Sequence, residues 1–211
     1  AREGATGVEF GDELGGALAF AGCGARAKKI AFLSVNVYAL ALYMDADAWR
    51  AQRGDAGASA GGLLNAPCER AVLIEMVRGV DADTFWEALR EALEPRIAEI
   101  ATWLATAETE SGDFMASTAE AAEVKEEAAL DALDEMKAFF RAGGELKKGD
   151  RIELRWGGRG SAAVSVSASP SGRSVDLSSE EFGRALFAVY LDESAVAPEA
   201  RDAFDGALGA L

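Results

Sequence analysis

The stretch AGCGARAKK (residues 21–29), followed by the apolar IAFLSVNVYALALYMD (30–45), decides how this chain folds. Residues 22–27 read GCGARA and match the loose dinucleotide-binding pattern GxGxx(G/A). That pattern needs a crossover of about a dozen residues, usually helical, before the next parallel strand. Too few residues remain before the strand that begins near Val35, so the two segments are predicted to pair as a β-hairpin instead.

A hairpin of this kind brings two polar side chains together. With a turn near residues 32–34 (Phe-Leu-Ser), Arg26 lies opposite Tyr38 to within a residue or two. Directly opposed side chains share one face of a sheet and lie about 5 Å apart at Cβ. The guanidinium of Arg26 and the phenol of Tyr38 are therefore expected to converge, while Tyr43 is expected on the opposite face.

Arg26 lies among apolar neighbours, and a buried arginine needs an anionic partner or dense hydrogen bonding. One interpretation is an internal salt bridge with Glu75 or Glu87, which the residues alone favour. The other is a receptor for a ligand, because a forked guanidinium beside a phenol can bind a carboxylate through two hydrogen bonds.

Composition excludes several classes of function. The 36 acidic residues against 21 basic ones give a net charge of −15, which opposes attraction to nucleic acid or an anionic membrane surface. An anionic ligand would gain no steering from such a surface, so we expect Arg26 to act locally. No apolar run approaches the roughly 18 residues of a spanning helix, so no integral membrane association is expected.

The residue types that carry most catalytic and metal chemistry are scarce. The sequence contains no histidine, which excludes Ser-His-Asp and Cys-His nucleophiles and histidine-bound zinc. Cys23 and Cys68 stand alone, without a CxxC motif. We therefore predict neither a metal site nor a cofactor.

The rest of the chain predicts a single α+β domain over residues 1–211, with an antiparallel sheet covered by helices on one face. Apolar alternation or β-rich composition predicts strands at 8–10, 18–20, 71–77, 151–156 and 161–169. Helical periodicity predicts helices at 46–52, from 83 with a kink or restart at Pro95, and at 116–141, 179–191 and 198–208.

The run GCGARAKKIAFLSVNVYALALYMD resembles the signature hairpin of the chalcone isomerase-like superfamily. Three later segments also resemble it at the family's spacing: VLIEMVRGVDADTFWEALREAL, LKKGDRIELRWGG and FAVYLDESAVAPEARDAF. The resemblance covers residues 8–204. It implies an open-faced β-sandwich, in which a large antiparallel sheet is covered by a layer of helices, with the ligand pocket between them.

Within that family, the residues present resemble those of the fatty-acid binders more than those of the isomerases. Arg26 matches an arginine that both branches share, whereas Tyr38 matches a tyrosine that contacts the ligand carboxylate in the fatty-acid binders and is threonine in the isomerases. The isomerases' tyrosine and asparagine have no counterpart in VRGVDADTFWEAL, and Val189 stands where they carry Ser or Thr. The resemblance also implies a plastid location.

The resulting hypothesis is a noncatalytic protein that binds a medium- or long-chain fatty acid. Arg26 and Tyr38 would hold the carboxylate. The candidates for the acyl-chain wall are Phe85, Leu89, Trp103 and Phe139. Their helical spacing is also the pattern of any helix that faces an ordinary core. Two alternatives stay open: a chalcone isomerase-type intramolecular lyase with a divergent pocket, and a noncatalytic isomerase-like partner protein of flavonoid or lipid metabolism.

Overall fold

A computed structural model describes residues 1–30, 32–56, 59–111 and 117–211. Their strands are β1 (Glu13–Leu14), β2 (Leu18–Ile30), β3 (Leu33–Met44), β4 (Arg70–Met76), β5 (Val80–Asp81), β6 (Glu145–Leu146), β7 (Arg151–Trp156), β8 (Ala163–Ser169) and β9 (Arg173–Ser178). Their helices are α1 (Ala46–Ala56), α2 (Ala60–Leu63), α3 (Ala82–Ser111), α4 (Thr118–Arg141), α5 (Glu180–Leu191) and α6 (Pro198–Ala210).

Seven of these strands form one open antiparallel sheet in the order β1-β2-β3-β4-β7-β8-β9, while β5 and β6 form a separate ribbon. Helices pack on one face of the sheet and bury the main apolar core between the two layers. The α+β prediction and the open-faced sandwich are thus confirmed. The central strand β3 is buried along Tyr38–Met44, as its nearly continuous apolar sequence predicts.

The other face of the central strands is covered by the N-terminal segment. Phe10 and Leu18 pack there against Tyr43, whose hydroxyl donates a hydrogen bond to the carbonyl oxygen of Gly11 at 3.0 Å. Tyr43 therefore has a structural role on the face opposite Tyr38, as predicted. Residues 8–10, predicted as a strand, make only an isolated bridge between Glu9 and Arg2.

The hairpin strand β2 is longer than predicted, because it joins the predicted strand at 18–20 to the first strand of the hairpin. A β-bulge lies between Phe20 and Cys23, where Gly22 adopts a φ of 104° that favours glycine. Gly24 lies directly against α6, and a Cβ built on it would be 2.5 Å from Cα of Ala200. The two glycines thus shape the strand and admit a helix, which is the physical reason for the GCG sequence.

Helix α3 runs through Pro95 as one element, so of the kink or restart predicted there the restart does not occur. The side chain of the next residue bonds to the helix on the N-terminal side of the proline: Arg96 Nη1 donates to the carbonyl oxygen of Ala92 at 2.6 Å. Arg96 also forms a two-point ion pair with Asp192, at 2.7 and 2.9 Å. Because Asp192 is the C-cap of α5, this pair fixes α3 against α5.

Helix α4 begins at Thr118, behind a capping box formed by Ser117 and Glu120. Its predicted start at Ala116 lies outside the described residues. The hairpin turn likewise differs from the prediction: β2 ends at Ile30 and β3 begins at Leu33, which are paired, so the chain turns slightly before residues 32–34.

Candidate ligand-binding site

A cleft of about 550 Å³ opens between the β2–β3 hairpin and the start of α3. Such a volume falls within the range of small-molecule sites, roughly 300–1,000 Å³. Residues from the hairpin, from the segment after β4 and from the first turns of α3 line the cleft: Arg26, Lys28, Lys29, Val37, Tyr38, Arg78, Gly79, Val80, Asp81, Thr84, Phe85 and Ala88.

Arg26 and Tyr38 meet on the wall of this cleft, as the sequence predicts. They are directly paired across β2 and β3, and Arg26 Nη1 donates to Tyr38 Oη at 3.4 Å. A second bulge produces this register. Beyond it, Ala27 pairs with Asn36, so an unbulged ladder would place Val37 opposite Arg26 and turn Tyr38 to the other face.

A third residue of the cluster, Tyr190 on α5, was missed by the sequence reasoning. The phenol of Tyr190 lies near enough to that of Tyr38 for each to shift the pKa of the other, and both residues are 1% exposed. The signal available in the sequence was a tyrosine inside the apolar run ALFAVYL, since a buried phenol needs a polar partner. Its partner, however, lies on a distant strand.

Burial determines the protonation of these groups. It raises the pKa of the Tyr38 phenol, and the nearby charge of Arg26 offsets this only in part. Burial also raises the pKa of Tyr190 well above the ordinary tyrosine value, and the oxygen of Tyr38 adds to the effect. Both phenols therefore remain neutral at physiological pH, and Tyr38 can donate its proton in a hydrogen bond.

The salt-bridge interpretation of Arg26 is wrong. Glu75 pairs with Arg151 at 2.7 Å, and Glu87 pairs with Arg90 at 2.7 Å. Burial lowers the pKa of Arg26, but Tyr38 and Tyr190 outweigh this and leave it raised, with no carboxylate contributing. Within the described ranges, the half-buried guanidinium thus contacts the phenol of Tyr38 and the cleft, and no carboxylate pairs with it.

Of the predicted wall residues, one lines the cleft. The ring of Phe85 lies 6.0 Å from that of Tyr38 between centroids. Leu89 is buried in the main core, and Phe139 lies 4.8 Å beneath the guanidinium of Arg173. Trp103 is 45% exposed and follows Phe85 by eighteen residues, about 27 Å along a helix.

Leu89, Phe139 and Trp103 are thus not among the residues that line the cleft. Their helical spacing reflects core packing in the first two cases. Trp103 instead stacks on Arg184 of α5, whose Cζ lies 4.3 Å from the ring centroid.

The charge around the cleft is opposite to that of the chain as a whole. Arg26, Lys28, Lys29 and Arg78 line it, together with one acidic residue, Asp81. The carboxylate of Asp81 accepts hydrogen bonds from backbone N–H groups at the start of α3. Basic residues thus outnumber acidic ones in the lining of the cleft, so an anion that enters it meets cations at short range, where salt screens little.

Two searches over the described residues gave no candidate. No group of three or more His, Cys, Asp or Glu side chains is arranged to hold a metal ion. None of the described helices combines the length and apolarity needed to cross a bilayer.

Comparisons with known proteins agree with this architecture. A crystal structure of a fatty-acid-binding protein from Arabidopsis thaliana superposes with a TM-score of 0.73 at 20% identity, over 100% of this chain and 99% of that one. No curated protein sequence is significantly similar. The model of the chalcone isomerase-like family matches residues 58–204, which lie beyond the hairpin that carries Arg26 and Tyr38. That match spans well over half of the sequence, and the chain belongs to the chalcone isomerase-like family.

Proposed function

We propose that this protein binds a medium- or long-chain fatty acid without catalysing a reaction on it. The observation that carries the proposal is the unneutralised guanidinium of Arg26 on the wall of a partly apolar cleft, beside the phenol of Tyr38. The fatty-acid-binding protein from Arabidopsis thaliana, which shares the fold, supports the same ligand class.

The head group of such a ligand would meet complementary donors. An arginine has five N–H donors, and Tyr38 accepts one from Arg26, which leaves others for a carboxylate. The hydroxyl of Tyr38 is neutral and can donate a further hydrogen bond. Charge-assisted hydrogen bonds contribute about 1.5–3 kcal/mol each, more than neutral ones.

The apolar wall would hold the acyl chain. Val37, Val80, Phe85 and Ala88 supply carbon surface along the cleft. Each buried methylene is worth about 0.8 kcal/mol, so ten would contribute about 8 kcal/mol before ordering costs. Burial of the chain and charge pairing of the head together provide the driving force for binding.

The groups present also support a binding role over catalysis. Near neutral pH the raised pKa values keep Tyr38 and Tyr190 protonated, so neither is a general base. The sequence contains no histidine to take that part. With naringenin chalcone as substrate, we expect cyclisation at the spontaneous rate; turnover well above it would favour the isomerase alternative.

Calorimetric titration with laurate, palmitate and 1-dodecanol tests the proposal. The wild type should bind the acids and discriminate against the alcohol, which has the chain of laurate but no charge. Arg26→Gln should weaken laurate binding by about 10- to 100-fold, the equivalent of one charge-assisted contact, and abolish the discrimination. Arg90→Gln, on the exposed side of α3, is the matched control and should bind as the wild type does.

Two results would overturn the proposal. One is equal affinity for laurate and 1-dodecanol in the wild type, since the guanidinium would then contribute nothing. The other is a protein that takes up neither acid in calorimetry or native mass spectrometry, which would favour the partner-protein alternative.

A further inference from the structure

The tip of the β2–β3 hairpin exposes two adjacent large apolar side chains. Phe32 is 104% exposed and Leu33 71%, the two highest values among the exposed large hydrophobic residues of the described chain. Single exposed apolar residues are normal on protein surfaces, but a contiguous pair at a protruding turn is costly in water. We call Phe32 and Leu33 the tip pair.

Cations surround the base of the tip pair. Lys29 pairs with Ser34 and Lys28 with Val35, so both lysines lie within two ladder positions of Leu33. Both are exposed, as is Arg78 across the cleft. The acidic side chain that lines the same cleft, Asp81, caps the start of α3.

From this juxtaposition we infer that the hairpin tip docks the protein on an anionic lipid bilayer. Aromatic and aliphatic side chains enter the interfacial region of a bilayer, while neighbouring lysines and arginines contact anionic head groups. The tip pair is almost fully exposed, with cations beside it, and it forms no groove that could hold a side chain of a partner protein. An anionic membrane therefore fits this surface better than an acidic protein does.

The strongly acidic remainder of the chain is compatible with docking and orients it. The net charge of −15 repels an anionic surface, but at physiological salt this repulsion is screened beyond about 8–10 Å. An approach through the hairpin tip brings Lys28 and Lys29 to the bilayer. Lys28 and Lys29 also line the cleft, so this orientation turns its mouth towards the lipid.

Docking at the tip extends the proposed function but does not depend on the identity of the ligand in the cleft. It is tested by flotation of the ligand-free full chain with vesicles of phosphatidylcholine, alone or with a quarter phosphatidylglycerol. The wild type should float with the anionic vesicles and not with the neutral ones, and binding should fall steeply with added salt.

Two double variants with matched controls separate the apolar and cationic contributions. Lys28→Glu/Lys29→Glu should weaken vesicle binding at least about tenfold, since each cation near the surface contributes about fivefold. Arg50→Glu/Arg159→Glu makes the same charge change at the opposite end of the sheet, beyond Met44 and Trp156, and should bind as the wild type.

Phe32→Ser/Leu33→Ser should also lose vesicle binding, whereas Val124→Ser/Leu130→Ser, which removes exposed apolar side chains from α4, should keep it. The tip pair does not line the cleft, so the affinity of the tip variant for laurate in free solution should be unchanged, and this also reports its folding. Equal binding of the wild type to neutral vesicles, or equal loss in tip and control variants, would overturn docking. A dimer broken by the tip substitutions, without vesicle binding, would overturn it in favour of a second copy.

Discussion

Replacing Gly24 by alanine tests how the hairpin holds α6. The added Cβ would lie 2.5 Å from Cα, 2.6 Å from Cβ and 3.0 Å from N of Ala200. Carbon atoms in contact are normally about 3.5–4.0 Å apart, so the helix must move by about 1 Å. Overpacking of this size typically costs about 1–3 kcal/mol.

A cost near 2 kcal/mol corresponds to a fall in Tm of about 4–8 °C for a protein of this length. Differential scanning calorimetry or urea unfolding followed by tryptophan fluorescence would measure it. Gly206→Ala in α6 is the control, because nothing lies within 4 Å of its added Cβ. At an exposed helix position alanine stabilises the helix by about 0.5–1 kcal/mol relative to glycine. Its Tm should rise. A Tm for Gly24→Ala at or above that of the wild type would refute the close approach of β2 and α6.

Two further predictions concern buried polar groups. The raised pKa of Tyr190 means that its phenol loses its proton at lower pH in the unfolded chain than in the folded one, so the unfolding free energy should fall as pH rises above about 10. Urea unfolding at pH 8 and 10.5 should show a smaller fall for Tyr190→Phe, and equal falls would contradict the assignment. Arg70, 0% exposed, donates to carbonyl oxygens of Leu63, Ala66 and Cys68, so Arg70→Met should cost at least about 3 kcal/mol of unfolding free energy. Arg50→Met, at an exposed site, should stay within about 0.5 kcal/mol of the wild type, and a similarly small change for Arg70→Met would refute its structural role.

The hairpin shows how far local sequence can reach. The hairpin follows from the length of one connecting segment, because too few residues separate GCGARA from the next strand to form a helix. The pairing of Arg26 with Tyr38 was also predicted, although from a turn placed slightly late. The bulge in β3 shifts the register by one residue and so restores the pairing of Arg26 with Tyr38 despite the earlier turn. The sequence at the bulge, Asn-Val-Tyr (36–38), contains no residue that predicts it.

The parts of the site that sequence could not give come from distant elements. Tyr190 reaches Tyr38 only because α5 packs across the sheet, and no local pattern relates two residues so far apart. The two-residue strands β5 and β6 are too short to show alternation, yet their pairing brings the segment from Arg78 to Asp81 to the cleft. The net charge of the chain also could not show the charge of the cleft, because it averages over the whole surface, whereas four basic residues lie together in the lining of the cleft.

The geometry of the hairpin also explains why one strand serves both the packing of α6 and the proposed ligand site. Along one face of β2, alternate residues pass from Gly24, which needs close contact with α6, to Arg26 in the cleft and Lys28 at its edge. Packing against α6 leaves no room for a side chain at Gly24, whereas Lys28 is exposed and not constrained by such packing. Arg26 lies between these two positions and is half-buried. Its interaction with an anion would be strengthened by the lower dielectric, and its position in the lining of the cleft would let a ligand reach it. Shifting Arg26 by two residues in either direction along this face would bury it against the helix or leave it in solvent.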